Sequence, residues 1–404
     1  MKILFLSQVL PFPLDAGPKV RSYYVLRHLV QQHQVTLASF VRATDTPEAQ
    51  AHLRTIVERL VPCPIRRTAW REAAAIGRSA VSGEPVLITR DHVSEMVALV
   101  RQLAAETGFD AVHADQLWMA PYALAASAGA KGGHHKPWLV LDQHNAVHLI
   151  PRRLAESAGN SLMRFGWRRE ARQMARFEAK TCRAFDRVVT VTDVDSQALI
   201  RLYPSGKAPQ FTSIPICIDA QAVIPQPRAG VAGILFLAGM HWPPNADGAR
   251  WFAEAILPAI RASVPLARFL AVGRQPPESL VRPEAAEYIE APGYVSQVEP
   301  FWARSQVFVV PLRAGGGMRV KILYAWAQGL PIVSTTIGAE GLNYRHGENI
   351  LIADTPQAFA HAVVSILQNA NLARQLAAAG RANVEQHYDW QQIYPAWDAI
   401  YARR

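Results

Sequence analysis

The stretch QVFVVPLRAGGGMRVKILYAWAQGLPIVSTTIGAEGL, residues 306–342, reads as strand, glycine loop, helix, glycine stop, proline and second strand. Gly315, Gly316 and Gly317 remove side chains where the backbone must pass close to something else. The helix is predicted to begin near Met318, so that its unpaired N–H groups and its dipole point back at the glycines. A diphosphate is the natural occupant of such a place. Arg319 and Lys321 add two cations beside it. Gly329 then stops the helix and Pro331 bars its continuation. The spacing is not G-x-x-x-x-G-K-[ST], which argues against a P-loop kinase or ATPase.

Outward from this stretch the chain keeps alternating short apolar runs with helical patterns, the mark of parallel sheets covered by helices. Strands are predicted at 2–7, 34–39, 111–113, 138–142, 187–191 and 212–215, and helices at 18–31, 47–60 and 92–106. The order restarts with strands at 234–238, 267–272, 306–311, 332–335 and 350–353. Between the two series, DAQAVIPQPRAGVAG (219–233) is rich in Pro, Gly and Ala and has no periodicity. The expected architecture is α/β: two Rossmann-like, doubly wound domains facing a central cleft, at 1–222 and 223–385. A C-terminal helix in 386–404 would return to the first domain. Open sheets of this kind place ligands at the carboxyl ends of their strands.

Composition narrows the class. The chain has 404 residues, half of them hydrophobic and 18% charged, enough for sizeable cores. No apolar run reaches the roughly 18 residues of a membrane-spanning helix, and MKILFLSQVLPFP at the start reads as a buried strand, not a signal peptide. Cys63, Cys182 and Cys217 are far apart and lack metal spacing, which fits a reducing, cytoplasmic setting. The first strand runs into PFPLDAGPK in place of G-x-G-x-x-G, which argues against a dehydrogenase. Net charge is +10, unevenly spread: residues 1–220 hold 27 Lys and Arg against 19 Asp and Glu, and the remainder 15 against 13. The basic half is expected to meet something anionic.

The 306–342 stretch resembles the donor-binding signature of glycosyltransferase family 4, retaining enzymes of the GT-B fold. GILFLAGMHWPPNADGARWFAEAILPAI (233–260) resembles the opening of the second domain in a bacterial, exopolysaccharide-associated subgroup of that family. ARFLAVGR (267–274), GYVSQVEPFWARSQVFVVPLR (293–313) and GRANVEQHYDW (380–390) follow in the family's order. The resemblance implies a nucleotide diphosphate sugar held mainly by residues 233–342. Base and ribose would lie near Gly239, Gly273, Tyr294, Val295 and Tyr324. The phosphates would meet Gly316, Gly317, Met318, Arg319 and Lys321. It implies no metal and no cofactor beyond the donor itself. Two glutamates usual in the family, eight positions apart, are replaced here by Gly316 and Tyr324. A tyrosine cannot chelate two ribose hydroxyls as a carboxylate does. Those departures keep two alternatives open: a degenerate, non-catalytic binding or scaffold protein, and a sugar-nucleotide epimerase of the same architecture.

In the first half, the loop of LFLSQVLPFPLDAGPKVRSYYVLRHL (4–29) puts Gly17 at the start of a helix, where backbone amides can reach a phosphate. DAVHADQLW (110–118) and WLVLDQHNAVH (138–148) each deliver His and Asp at a strand end, offering His113, Asp115, Asp142, His144, Asn145 and His148. His113, Asp115 and Asn145 are candidates for the acceptor or sugar side. By resemblance, His144 is the histidine beside the reacting sugar, in the catalytic role. The acceptor would be a glycan or a lipid-linked hydroxyl.

One further segment stands out. MRFGWRREARQMARFEAKTCRAFDR (163–187) is predicted to form one amphipathic helix whose apolar face carries Met163, Trp167, Ala171, Met174, Cys182 and Phe185. Residues 164–187 hold eight Lys and Arg against three Asp and Glu, half of the chain's excess charge. That composition suits a peripheral position on an anionic membrane. No signature of a nucleic-acid-binding module is present.

Overall fold

A computed structural model describes all residues except 67, 131–134, 158, 205, 227–231 and 403–404. Part of the expected join at 219–233 therefore lies outside the described residues. The chain forms two compact units, Met1–Ile216 with Tyr394–Arg404, and Cys217–Ile393. Against the expected boundary at 222/223, the second unit begins at Cys217, because the backbone there is fastened to it: Ile218 N–H donates to Tyr388 O and Trp390 N–H donates to Ile218 O.

The first unit carries seven parallel strands: β1 (Lys2–Ser7), β2 (Gln34–Val41), β3 (Arg59–Pro64), β4 (Ala111–Asp115), β5 (Trp138–Gln143), β6 (Arg187–Thr190) and β7 (Phe211–Ser213). Their order is β3-β2-β1-β4-β5-β6-β7. Ile3, Leu4, Phe5 and Leu6 of β1 are fully buried, as a strand covered by helices on both faces requires. β3 falls where the end of a helix was expected: the helix stops at Arg54, and RLVPCP pairs with β2. Pro62 and Pro64 hid this strand. They are tolerated because β3 is the sheet edge, where unmade ladder bonds cost little.

The second unit carries six: β8 (Gly233–Leu237), β9 (Arg268–Val272), β10 (Ile289–Gly293), β11 (Ser305–Val310), β12 (Ile332–Ser334) and β13 (Leu351–Ile352), in the order β10-β9-β8-β11-β12-β13. β10, which also contains a proline, is again an edge strand that the sequence pattern missed. Both sheets have a Rossmann-type order, with the direction of winding reversing between β1 and β4 and between β8 and β11. The crevices at these two reversal points are where such sheets receive ligands.

The C-terminal segment is three helices, Ala370–Tyr388, Trp390–Ile393 and Ala396–Tyr401. The last belongs to the first unit, where Trp397 is wholly buried.

Candidate active site

In the second unit the residues expected at the donor follow the carboxyl ends of strands, or lie in the helix after β11. β11 runs out into Pro311 and the glycine loop, in which Gly315 (φ 121°) and Gly317 (φ 79°) take left-handed backbone that side chains disfavour. The helix that follows is Val320–Ala327, so it starts two residues later than Met318. The reason is Arg319, the residue capping that helix. Its Nη1 donates to the carbonyls of Gly316 and, at 2.6 Å, Gly317, which holds the loop out of helical conformation. Met318 is buried, Gly316 exposed and Tyr324 half-buried.

Lys321 sits in the first turn of this helix, half-buried. Its ammonium stands 4.8 Å over the Phe236 ring and donates to Asn245 Oδ1 at 3.2 Å. Asn245 Nδ2 in turn donates to Gly239 O at 2.9 Å. Asn245 lies in the first turn of the helix Pro243–Trp251, which has no acidic residue there. Asp247, further along that helix, is taken by a bidentate pair with Arg313, at 2.6 and 3.0 Å. Two helix starts and one lysine thus meet at the β8/β11 reversal point, with that carboxylate neutralised. Burial and then the charge of Arg319 lower the Lys321 pKa to about 7. Lys321 is thus a half-buried amine with no carboxylate partner among the described residues, a setting in which a nearby anion would favour its charged form.

Gly239 and Gly273 make the wall beside it. A Cβ on Gly273 (φ 146°) would stand 1.8 Å from the Ala238 carbonyl oxygen, and one on Gly239 would stand 2.6 Å from the His241 ring. Past β9, the Arg274 guanidinium covers the Tyr294 ring at 4.7 Å. Tyr294 is 59% exposed, an open aromatic face at the end of β10, and Val295 beside it is half-buried. The sequence reading did not single out Asn245, Asp247, Arg313 or Arg274. A lone Asn or Arg after a strand carries no distinctive pattern until the sheet sets its neighbours.

In the first unit a buried ionic network underlies the β1/β4 reversal point. Arg21, in the helix Gly17–Leu29, is wholly buried. Its Nε and Nη2 donate to the two oxygens of Asp142 at 3.0 and 2.9 Å, and its Nη1 donates to Ile214 O and Pro215 O at 2.7 and 2.6 Å. The guanidinium also faces the rings of Trp397 (5.1 Å) and Tyr394 (5.7 Å). Asp115 Oδ2 accepts from Ser7 and Ser22 at 2.9 and 2.8 Å. His144 Nε2 lies 2.9 Å from Asp115 Oδ1 and 3.5 Å from Asp142 Oδ2. Both are ion-pair contacts, and the buried Nδ1 has no partner among the described residues. Burial alone would lower the His144 pKa, but Asp115 and then Asp142 raise it to about 9. Burial would raise the Asp142 carboxyl, and Arg21 overrides it and holds it well below the usual range. Arg21 with Asp142 and His144 with Asp115 thus form two buried ion pairs.

His113 lies deeper in the same unit. It is fully buried, stacked on Phe5 at 4.2 Å, and its Nδ1 meets Tyr401 Oη at 2.7 Å. Burial lowers its pKa to about 4, so it is neutral. Asp115 is also without exposed surface. Both side chains lie without exposed surface beneath the β1/β4 reversal point. Asn145 is half-buried beside His144. Gly17 is the first residue of its helix, whose cap and first turn offer no side-chain cap and no acid. Glu178, wholly buried, positions the loop after β5: it accepts from Gln143 Nε2 (2.6 Å), Val147 N–H (2.7 Å) and His148 N–H (2.9 Å). His113, Asp115 and Asp142 offer ligand atoms within 4.8 Å of one another, a spacing that could hold a cation. However, Arg21, His144, Ser7 and Ser22 already engage those carboxylates, and two cations there would repel a third.

Comparison with known proteins bears on the fold and on the second unit. Residues 232–369 match the family model of glycosyl transferases group 1. HepE of Anabaena, solved with UDP and glucose, superposes with a TM-score of 0.68 at 14% identity, covering 99% of each chain. Sucrose-phosphate synthase of Thermosynechococcus elongatus superposes at 0.70 and 14% identity, over 99% of this chain and 98% of that one. An uncharacterised 44.6 kDa protein of the cps region of Klebsiella pneumoniae is 22% identical over 170 residues, 40% of this chain. That match spans 44% of the relative's length. The fold is that of the GT-B structures on which the chain superposes, and the similarity to the group 1 family model lies within the second unit.

Proposed function

We propose that this protein transfers a sugar from a nucleotide diphosphate sugar to a hydroxyl of a glycan or lipid-linked acceptor, with retention of anomeric configuration. One observation carries the reading: Lys321, Arg319 and two helix starts converge on the glycine loop, at the reversal point of the second sheet. The charge that develops on a departing diphosphate is stabilised most by donors already fixed in place. Lys321, held by Asn245 and short of a carboxylate among the described residues, is such a donor. UDP, seen with HepE, suits this place by its two phosphates, and the open Tyr294–Arg274 stack suits a planar base. His144 is the second element. Protonated near neutral pH and with Nδ1 unpartnered among the described residues, it would donate to the transferred sugar, while Asp115 and Asp142 keep it charged. Retention follows if the acceptor attacks from the face the diphosphate leaves, and the departing phosphate takes the acceptor proton.

The experiment is turnover of UDP-sugars and other nucleotide sugars, with and without glycan acceptors, followed by release of nucleotide and by the anomeric configuration of the product. Arg319→Ala and Lys321→Met should each lose most activity with unchanged circular dichroism. Near-normal turnover in both variants would refute the assignment of the diphosphate. Epimerisation of donor without acceptor, or donor binding without any transfer, would replace the reading with one of its alternatives.

A further inference from the structure

The basic helix is Ser161–Arg183, and its burial differs from the sequence expectation. Met174 and Cys182 pack into cores, but Met163, expected on the same apolar face, is 57% exposed. Residues 161–166 are exposed on all sides, because the first turns run out beyond the core. Leu162 and Phe165 are 77% and 66% exposed. Three large apolar side chains in water at one helix end lack a reason within the unit itself.

Beside them runs a stripe of cations. Arg164, Arg168, Arg172 and Arg176 recur every four residues, so they share one helix face over about 18 Å. With Phe165, Arg169 and Gln173 they line a groove of 550 Å³. The helix's two acids are turned to other work. Glu170 accepts from Val86 and Leu87 N–H groups, and Glu178 holds the loop after β5. Evenly spaced arginines on one face, adjoining exposed Leu, Met and Phe, complement a surface that is anionic outside and apolar just beneath. A nucleic acid would use the arginines but not the apolar end.

We infer that the first four turns of this helix dock the protein on a membrane rich in anionic phospholipid, the arginines lying among the headgroups and Leu162, Met163 and Phe165 entering the acyl boundary. No described helix is long and apolar enough to cross a membrane, so attachment is to the surface. This inference stands independently of the donor site.

Flotation of the whole protein with vesicles tests it. Phosphatidylcholine vesicles with about one-third phosphatidylglycerol should bind the protein in low salt, and pure phosphatidylcholine should not. Arg168→Glu with Arg172→Glu, both at exposed positions, should weaken that partition by about thirtyfold or more. Leu162→Ser with Phe165→Ser should abolish the part of the binding that survives high salt. The Phe165→Trp variant, compared with wild type, should gain emission that shifts to the blue on anionic vesicles only. The inference is overturned by absent binding, by equal binding to neutral vesicles, by charge reversal without effect, or by added emission in the Phe165→Trp variant that does not move.

Discussion

Lys321 is the residue whose chemistry most directly reports the donor site. In the free protein, burial and the neighbouring Arg319 hold its pKa at about 7. A bound diphosphate supplies the missing countercharge and restores the ammonium form. Binding above pH 7 must therefore take up a proton, and affinity must fall as pH rises. At pH 8 about one-tenth of the free protein carries the charged lysine, so affinity for a nucleotide sugar should be about tenfold weaker at pH 8 than at pH 6. A sugar nucleotide is the right probe, because its diphosphate has no proton to lose in this range. Isothermal titration calorimetry of UDP-glucose, in buffers of differing ionisation enthalpy, measures affinity and proton uptake together. Lys321→Met should lose about tenfold to a hundredfold in affinity at pH 6, the range of one hydrogen bond to a charged group. It should bind with no pH slope, so that the two proteins converge toward pH 8. A wild-type affinity that is flat between pH 6 and 8, or a slope that survives in Lys321→Met, would refute the reasoning.

Arg21→Met should strip the buried Asp142 of its bidentate partner and leave only the longer contact to His144, costing about 3 kcal/mol in denaturant unfolding; a change below about 1 kcal/mol would mean that the network is not structural. The His144 pKa rises from 6.5 unfolded to about 9 folded, so its stabilisation is fully present below pH 6.5 and lost as pH climbs through 9. Relative to His144→Gln, which shares every other titrating group, wild type should therefore lose about 3 kcal/mol across that window, as measured by urea unfolding of both proteins at pH 6, 7.5 and 9. Gly273→Ala must push a methyl into the Ala238 carbonyl from a left-handed backbone, and should cost more than about 2 kcal/mol and abolish donor binding. Normal thermal stability in that variant would contradict the close packing of β8 against β9.

What the sequence determined was the pattern of alternation. Buried strands flanked by helices leave long apolar runs, so β1, β5, β8, β9 and β11 were legible within a residue or so, and the two-sheet architecture with them. The glycine loop leading into a helix, with Arg319 and Lys321 at its start, was legible as a local pattern, because clustered glycines interrupt the alternation of strand and helix. Tertiary structure decided the rest, because it depends on which strands become neighbours. β3 and β10 were hidden by prolines that only an edge position permits. Met163 and Met174 share a helical face in sequence, yet one is in water and the other in the core, since the sequence period does not say where the body of the unit ends. Arg21, Asn245 and Arg274 are ordinary residues on ordinary helices and loops. They become parts of a site only when strand order brings Asp142, Lys321 and Tyr294 to them. His113 and His144 have the same chemistry in the chain. Folding makes one neutral and the other a cation, because one is desolvated among aromatics while the other lies against two carboxylates.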